Sequence, residues 1–282
     1  MGYRKILNLY KDIRILDFKE CYALEKIHGT SASITYNEGD IKFFSGGAKH
    51  ETFVELFDES ILRGKFEQLG YPKVKVYGEA YGGKLQGMSG TYGKEMKFVA
   101  FEVQIGDVWV SVDNAYEITT KLCLEFVAFE RGEATVNWIN SQRYLPSSQA
   151  KRNGIEEDKM REGVVIRPIK EYRDYRGNRI ITKHKRDEFK ETKTKREVEP
   201  AQLKVLDDAD KIAEEWVTPM RLNHILDKMP EKGEMKHVPL VIKAMIEDVQ
   251  TESEKEVVWS KSVAQSIARV TVPMYKKKIS SI

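Results

Sequence analysis

Lysines and glutamates recur in four short motifs along the first two thirds of the chain, three of which contain glycine. They are Lys26 in "EKIHG" (25–29), Glu79 in "VYGEAYGG" (76–83), Glu162 in "EGVVIRP" (162–168), and Lys183 and Lys185 in "ITKHK" (181–185). Lys183 and Lys185 are two residues apart on a predicted strand, so their side chains share a face. Two ammonium groups on one face repel each other unless an anion lies between them, and a triphosphate would suit. The alternative is a strand edge protected by lysines.

Two glutamates and one aromatic residue can each be interpreted either as a ligand-binding residue or as an ordinary structural one. Glu79 and Glu162 each adjoin a glycine at or within a predicted strand. Such a carboxylate can hold Mg²⁺, directly or through water, or bind a ribose hydroxyl. Each could equally be an ordinary polar strand residue. Phe101, in "FVAFE" (98–102), could lie flat on a purine base or belong to the core.

Lys26 is the candidate nucleophile. An ordinary lysine is protonated at neutral pH, and it becomes nucleophilic only when it is desolvated or placed near other cations. Lys183 and Lys185 are cations that could act in this way.

The five motifs, in this order, resemble those of the covalent nucleotidyltransferase superfamily of ATP-dependent DNA ligases, RNA ligases and mRNA capping enzymes. Within it, the sequence is most similar to the bacteriophage RNA ligase 2 type, whose first motif reads KxHG. Here that motif is Lys26-Ile27-His28-Gly29. The resemblance extends over roughly residues 1–195.

The resemblance implies an ATP-dependent RNA ligase that joins 3′-OH and 5′-phosphate RNA ends. Lys26 would attack the α-phosphate of ATP to form lysyl-AMP, AMP would pass to the RNA 5′-phosphate, and the 3′-OH would then displace AMP. The implied catalytic residues are Lys26, His28, Glu162, Lys183 and Lys185. The implied nucleotide-binding residues are Glu25, Lys26, Ile27, Glu79, Phe101, Glu162, Lys183 and Lys185. Glu79 and Glu162 would hold Mg²⁺ or Mn²⁺, and Arg167 keeps a cation where these ligases commonly have lysine.

The sequence departs from the family pattern after the nucleophile. These ligases usually carry an arginine on the following strand, whereas this chain reads Phe44-Ser45-Gly46-Gly47. Either Ser45 and the glycine N–H groups replace the arginine, or the site is built differently.

Composition indicates a globular protein. The 282 residues are 41% hydrophobic and 32% charged, with a net charge of +3. No apolar run is long enough for a membrane span, and no signal peptide is expected. Two cysteines suit a reducing compartment, so we expect a cytoplasmic protein. The resemblance to a bacteriophage ligase type implies a phage or viral protein acting in its host cytoplasm. A monomer is the default for the family.

The hydrophobic pattern predicts an α+β fold, with a nucleotidyltransferase domain of antiparallel sheets and flanking helices over residues 1–198. "ALEKIHGTSASITY" (23–36) is predicted as one strand, residues 51–70 as one helix and residues 114–127 as another. Residues 199–282 show helical periodicity, which predicts a small all-α domain. DNA ligases and capping enzymes normally have a five-stranded domain there, so the helices favour the RNA ligase 2 type.

Other functions stay open at the level of sequence. The helical domain either packs without contacting RNA or contacts RNA through residues such as Arg221, Lys261, Arg269 and Lys276. The enzyme could prefer DNA or mixed RNA/DNA nicks. A non-catalytic RNA-binding protein that kept the fold is the alternative from another class, and the presence of all five motifs argues against it.

Overall fold

A computed structural model describes residues 2–189, 209–230, 232–254 and 256–280. The chain divides into two compact units, Met1–Arg186 and Asp187–Ile282. The predicted boundary after residue 198 lies outside the described residues and stays a prediction.

Ten strands in the described residues form two five-stranded sheets in the first unit. They are β1 (Leu7–Asn8), β2 (Glu20–Lys26), β3 (Thr30–Asn37), β4 (Asp40–Ser45), β5 (Lys73–Gly82), β6 (Met96–Ile105), β7 (Val108–Trp109), β8 (Phe129–Glu133), β9 (Gly163–Pro168) and β10 (Thr182–Lys185). The first sheet has the order β1-β10-β9-β2-β8 and the second the order β4-β3-β5-β6-β7. Every pairing is antiparallel except that of β1 with β10.

Six α-helices accompany these sheets in the described part of the first unit. They are α1 (His50–Val54), α2 (Glu59–Leu69), α3 (Ser89–Tyr92), α4 (Val112–Lys121), α5 (Val136–Arg143) and α6 (Ser148–Arg152). The main core lies where α1, α2 and α4 pack on one face of the second sheet. Strand alternation explains this face, because Ala32, Ile34 and Tyr36 of β3 are buried in the core. Ser31 and Ser33 lie on the opposite face. The mixed fold with antiparallel-rich sheets confirms the predicted α+β class.

The predicted strand over residues 23–36 is wrong in one respect that matters for the site. The chain leaves the first sheet after Lys26 and enters the second at Thr30, so the segment forms two strands in different sheets. Gly29 permits this crossing, because a Cβ atom there would lie 2.3 Å from the carbonyl oxygen of Ala80. Such a contact would push the crossing and the start of β3 away from β5, the strand that carries Ala80.

Two helix predictions also need correction. Residues 51–70 form two helices, because Asp58 caps a new helix by accepting a hydrogen bond from the Ile61 amide at 3.0 Å. The helix predicted over residues 114–127 ends at Lys121, and Cys123 has a left-handed backbone with φ of 55°. A non-glycine residue in that conformation does not continue a helix.

The described part of the second unit contains four α-helices, as the periodicity predicts. They are α7 (Ala209–Trp216), α8 (Pro219–Lys228), α9 (Val238–Glu252) and α10 (Lys261–Ile279). Thr218 caps α8 by accepting from the Arg221 amide at 3.2 Å, and Trp216 lies in this unit's own core. No helix in the described residues is long and apolar enough to cross a membrane.

Candidate active site

Lys26 is the last residue of β2, and its strand pairing places it beside β9. Lys26 lies opposite Gly163, and Lys185 of β10 lies opposite the same glycine from the other side. Residues directly opposite each other in antiparallel strands project from the same face. The two ammonium groups are therefore brought to one face, on either side of β9.

Glu162 connects these two cations. Its Oε2 atom lies 2.8 Å from Lys26 Nζ, and its Oε1 atom lies 3.0 Å from Lys185 Nζ. The carboxylate is 1% exposed, while the Lys26 side chain is 22% exposed. Burial alone would raise the pKa of Glu162, but the charges of Lys185, Lys26 and His28 outweigh it and hold that pKa well below its usual range. The carboxylate is ionised at neutral pH.

Gly163 makes this arrangement possible. Its φ is +154°, and a Cβ atom there would lie 2.2 Å from the carbonyl oxygen of His184. Any side chain would push β10 away from β9. The glycine after Glu162 therefore keeps Lys185 within reach of the carboxylate.

His28 lies on the chain crossing between the two sheets and also contacts Glu162. Its Nδ1 atom is 3.3 Å from Glu162 Oε2, and its backbone amide donates to the Tyr92 hydroxyl at 3.3 Å. Tyr92 is a buried residue that sequence reasoning missed. Burial raises the pKa of Tyr92, and the charges of Glu25, Glu162 and Glu79 act in the same direction. Three predicted carboxylates thus act electrostatically on one hydroxyl.

Glu25 and Ile27, on either side of Lys26, both point into the protein. Glu25 is 2% exposed; its Oε1 atom accepts from Ser147 Oγ at 2.6 Å, and Oε2 accepts from the amides of Ser148 and Gln149. These bonds cap the start of α6, and burial raises the pKa of Glu25. Ile27 is 3% exposed within the core, which leaves its main chain for contact with a ligand.

Glu79 and Phe101 lie on the second sheet. Glu79 is half-buried on β5, and a Cβ atom on Gly29 would lie 3.0 Å from its Cγ atom, so its side chain passes the crossing after Lys26. Phe101 occupies a β-bulge, because Gly78 pairs with Ala100 while Tyr77 pairs with Glu102. The extra residue re-aims a side chain. The Phe101 ring packs edge-to-face against Tyr3, with centroids 5.1 Å apart.

Lys183 is half-buried in the middle of β10, opposite Val165 of β9. Strand alternation places it on the face of Lys185, while His184 between them bonds Asn140 at 2.9 Å. Lys26, His28, Glu162 and Lys185 are thus in direct contact, with Lys183 further along the same strand.

The residues present suit a metal ion of one particular kind. Within the ranges that the structure describes, no three His, Cys, Asp or Glu side chains are grouped so as to hold a metal ion. Mg²⁺ is usually held by one or two carboxylates together with water and substrate phosphates. Glu79 and Glu162 are carboxylates of the type that this donor set uses, and both oxygens of Glu162 already contact Lys26, His28 or Lys185.

A second buried ionic cluster lies beside Phe101, and sequence reasoning did not find it. Glu102, 1% exposed, lies 3.1 Å from Arg167 Nη1 and 3.0 Å from Arg179 Nη1, and it accepts the Tyr3 hydroxyl. Arg167 is also 1% exposed and bonds Glu171. The guanidinium of Arg167 is therefore engaged by the carboxylates of Glu102 and Glu171, which have a structural role. A glutamate within the apolar strand "FVAFEVQI" was the available signal.

In the segment that lacks the expected arginine, polar groups form hydrogen bonds within the protein. The Gly46 amide donates to the Ser31 carbonyl at 2.9 Å, and Ser45 Oγ accepts from the Ala48 amide at 3.0 Å. The Gly46 N–H group is thus already used within the protein. Gly2 lies against Phe44 at this point, since a Cβ atom on it would be 3.6 Å from the ring.

Comparisons with known proteins agree with this architecture. Structures of a Naegleria gruberi RNA ligase match this chain with a TM-score of 0.53, and the match covers 67% of this chain and 57% of theirs. One of these structures contains PPi and is 13% identical in sequence. Two are mutants, one with ATP and Mn and one with AMP and Mn, and each is 12% identical. The chain thus spans less than two thirds of that ligase. No curated protein matches the sequence. The family described as RNA ligase matches residues 19–185, more than half of the chain and every predicted site residue. The chain belongs to the RNA ligase family.

Proposed function

We propose that the protein is an ATP-dependent RNA ligase that joins 3′-OH and 5′-phosphate ends through adenylate intermediates. The observation that carries this proposal is the single buried carboxylate of Glu162 shared by Lys26, Lys185 and His28. A site that gathers this much positive charge around one reactive amine is suited to a phosphate.

In the first step, Nζ of Lys26 attacks the α-phosphate of ATP. Nζ first gives up a proton to solvent, so that it has a lone pair; a nitrogen–phosphorus bond then forms, the bond to the β-phosphate oxygen breaks, and pyrophosphate leaves with the electron pair. Lys185 and His28 are near enough to Lys26 to donate to the same phosphate, and Lys183 would act further along the chain of phosphates. Lys26 alone among the three groups around Glu162 is substantially exposed, so the nucleotide would approach from its side.

In the later steps, AMP passes from Lys26 to the RNA 5′-phosphate, and the 3′-OH then displaces it. Phe101 would stack on the adenine, Glu79 would bind the ribose or the metal, and Glu25 would act mainly through the helix that it caps. When bound at Glu79 and Glu162, Mg²⁺ or Mn²⁺ would neutralise phosphate charge. Two free cysteines, one of them exposed, agree with action in a reducing cytoplasm, and we expect a monomer.

The test is covalent labelling with α-labelled ATP, and separately GTP, in the presence of Mg²⁺. We expect label from ATP only, and no label on Lys26→Ala. Lys121→Ala is the matched control, because Lys121 is 58% exposed and pairs with Glu117 on its own helix. Absence of label from both nucleotides would refute adenylation. Sealing assays with all-RNA, mixed and all-DNA strands then decide between an RNA ligase and a ligase that prefers DNA.

A further inference from the structure

The turn between β9 and β10 exposes aromatic and cationic side chains together. We call residues 170–178 the aromatic turn. Tyr175 is 89% exposed, more than any other large hydrophobic side chain in the described residues, and Tyr172 is 46% exposed. The guanidinium of Arg176 lies over the Tyr175 ring, 5.1 Å from its centroid. An exposed ring beside a planar cation is the chemistry that stacks on nucleic-acid bases.

The aromatic turn is held in a fixed shape by Asp174. Its Oδ1 atom accepts from the amides of Arg176 at 2.9 Å and Asn178 at 2.8 Å, and its carbonyl accepts from the Gly177 amide. Arg14 donates to Oδ2 at 2.8 Å, and this bond, together with those from Asn178 and Arg176, lowers the pKa of Asp174 to about 2. The turn therefore keeps its internal bonds at neutral pH and presents Tyr175 without further ordering.

The surface charge of the aromatic turn is positive. The carboxylates of Glu171 and Asp174 are engaged by arginines, Glu171 by Arg167 and Arg179 and Asp174 by Arg14. Lys170, Arg173 and Arg176 are exposed. This balance suits a partner with a negatively charged backbone.

The position of the turn relates it to the candidate active site. Glu162 and Lys185 lie at one end of the β9–β10 pair, and the turn joins the other ends. The six residues of β9 alone span about 17 Å, which corresponds to about five nucleotides at the spacing of a stacked strand, and Tyr175 lies in the turn beyond this strand. Lys185 and Lys183 lie on one face along this path.

We propose that the aromatic turn binds unpaired nucleotides of the RNA substrate, with Tyr175 stacking on a base set back from the ends to be joined. This inference rests on the proposed ligase function, whose substrate it places. A base can stack on an exposed ring only if it is splayed out of a duplex, so the partner is single-stranded RNA next to the join. Arg176 would contact the backbone or the same base.

The test measures RNA binding and self-adenylation separately in the full-length chain. The variants are Tyr175→Ala, Tyr175→Phe and Arg176→Ala, with Tyr71→Ala as the control because Tyr71 is also exposed, at 43%. The probes are a labelled single-stranded RNA with a 5′-phosphate and a blunt RNA duplex, both followed by fluorescence anisotropy. We expect Tyr175→Ala to weaken single-strand binding about tenfold, Tyr175→Phe to keep it, and Arg176→Ala to weaken it and reduce its salt dependence.

Self-adenylation distinguishes this inference from the proposed function. Label from α-labelled ATP should be unchanged in all four variants, because they lie away from Lys26. If wild-type protein binds RNA through Tyr175 but takes no label, the ligase mechanism fails and the RNA-binding turn stands. Equal single-strand affinity of wild type and Tyr175→Ala would overturn the inference, as would failure of the wild type to bind the strand. A loss seen only with the duplex would overturn the stacking role as well.

Discussion

Lys26 and Glu162 are 136 positions apart in the sequence and form an ion pair with 2.8 Å between Nζ and Oε2. The pair is open on one side only, because the lysine is 22% exposed and the glutamate 1%. The buried carboxylate therefore holds the amine at the surface of the site. Removing Glu162 would leave Lys185 and His28 as buried positive or proton-donating groups without this partner.

We predict that Glu162→Gln destabilises the protein as well as abolishing adenylation. Breaking a buried ion pair by removing one partner costs about 3 kcal/mol, and urea denaturation at pH 7 would measure the loss. Glu117→Gln is the control, because Glu117 is 63% exposed in an i,i+4 pair and should change stability by less than about 0.5 kcal/mol. Equal stability of Glu162→Gln and wild type would show that Lys26, Lys185 and His28 do not need this carboxylate.

The same substitution has a defined pH dependence. The pKa of Glu162 is lowered in the folded protein from an unfolded value near 4.5, so its stabilisation is fully present above that pH and is lost as pH falls through the folded value. The difference between wild type and Glu162→Gln should therefore be constant at neutral pH and shrink only below about pH 4.5. A difference that shrinks between pH 8 and pH 6 would contradict the assignment.

The family resemblance carried by the motif order predicted that Lys26, Glu162 and Lys185 act together, and strand register brings them into contact. The sequence did not reveal that β2 and β3 belong to different sheets, because both read as one β-rich run. Gly29 is needed because the chain there passes close to Ala80, and this contact exists only in the tertiary structure. Glu25 likewise binds Ser147, 122 positions away, and no local pattern indicates such a cap. Arg221, which the sequence offered as an RNA contact, is 1% exposed; it forms an ion pair with Asp248 and donates to the Trp216 carbonyl. Its burial could not be predicted locally, because Asp248 lies on another helix.

We predict that Gly29→Ala disrupts the site, whereas Gly64→Ala does not. The Cβ atom at residue 29 would lie 2.3 Å from the Ala80 oxygen, and Ala80 follows Glu79, so the crossing must move away from β5. Gly64 lies within α2 with nothing within 4 Å of its Cβ position, and alanine there should stabilise the helix by about 0.5–1 kcal/mol. Thermal unfolding and ATP labelling of both variants measure this. Normal labelling of Gly29→Ala would show that the crossing tolerates a side chain.

We predict unequal effects for the two lysines of β10. Lys185 forms an ion pair with Glu162 beside Lys26, whereas Lys183 lies two residues before Lys185 on the strand. Lys185→Ala should therefore slow self-adenylation by about 100-fold, the usual cost of one charge-stabilising group, with a smaller loss for Lys183→Ala. The rate of label incorporation at saturating ATP is the measurement, with Lys121→Ala as the reference. A normal rate in both variants would remove β10 from the phosphate site.

We predict that Tyr3 supports the nucleotide site through both its ring and its hydroxyl. The hydroxyl donates to buried Glu102, and the ring contacts Phe101 and Tyr77 with centroids 5.1 and 5.2 Å away. Tyr3→Phe should cost about 1–2 kcal/mol of stability, because Glu102 loses one donor while both arginines remain, and ATP affinity should hardly change.

Tyr3→Ala tests the ring. This substitution removes a ring that packs against Phe101. The ATP concentration needed for half-maximal labelling should therefore rise, while the maximal rate of labelling stays similar. Tyr71→Phe and Tyr71→Ala are the matched controls at an exposed tyrosine. If Tyr3→Ala lowered stability without changing that ATP concentration, Tyr3 would be a packing residue only, and the adenine would not depend on the position of Phe101.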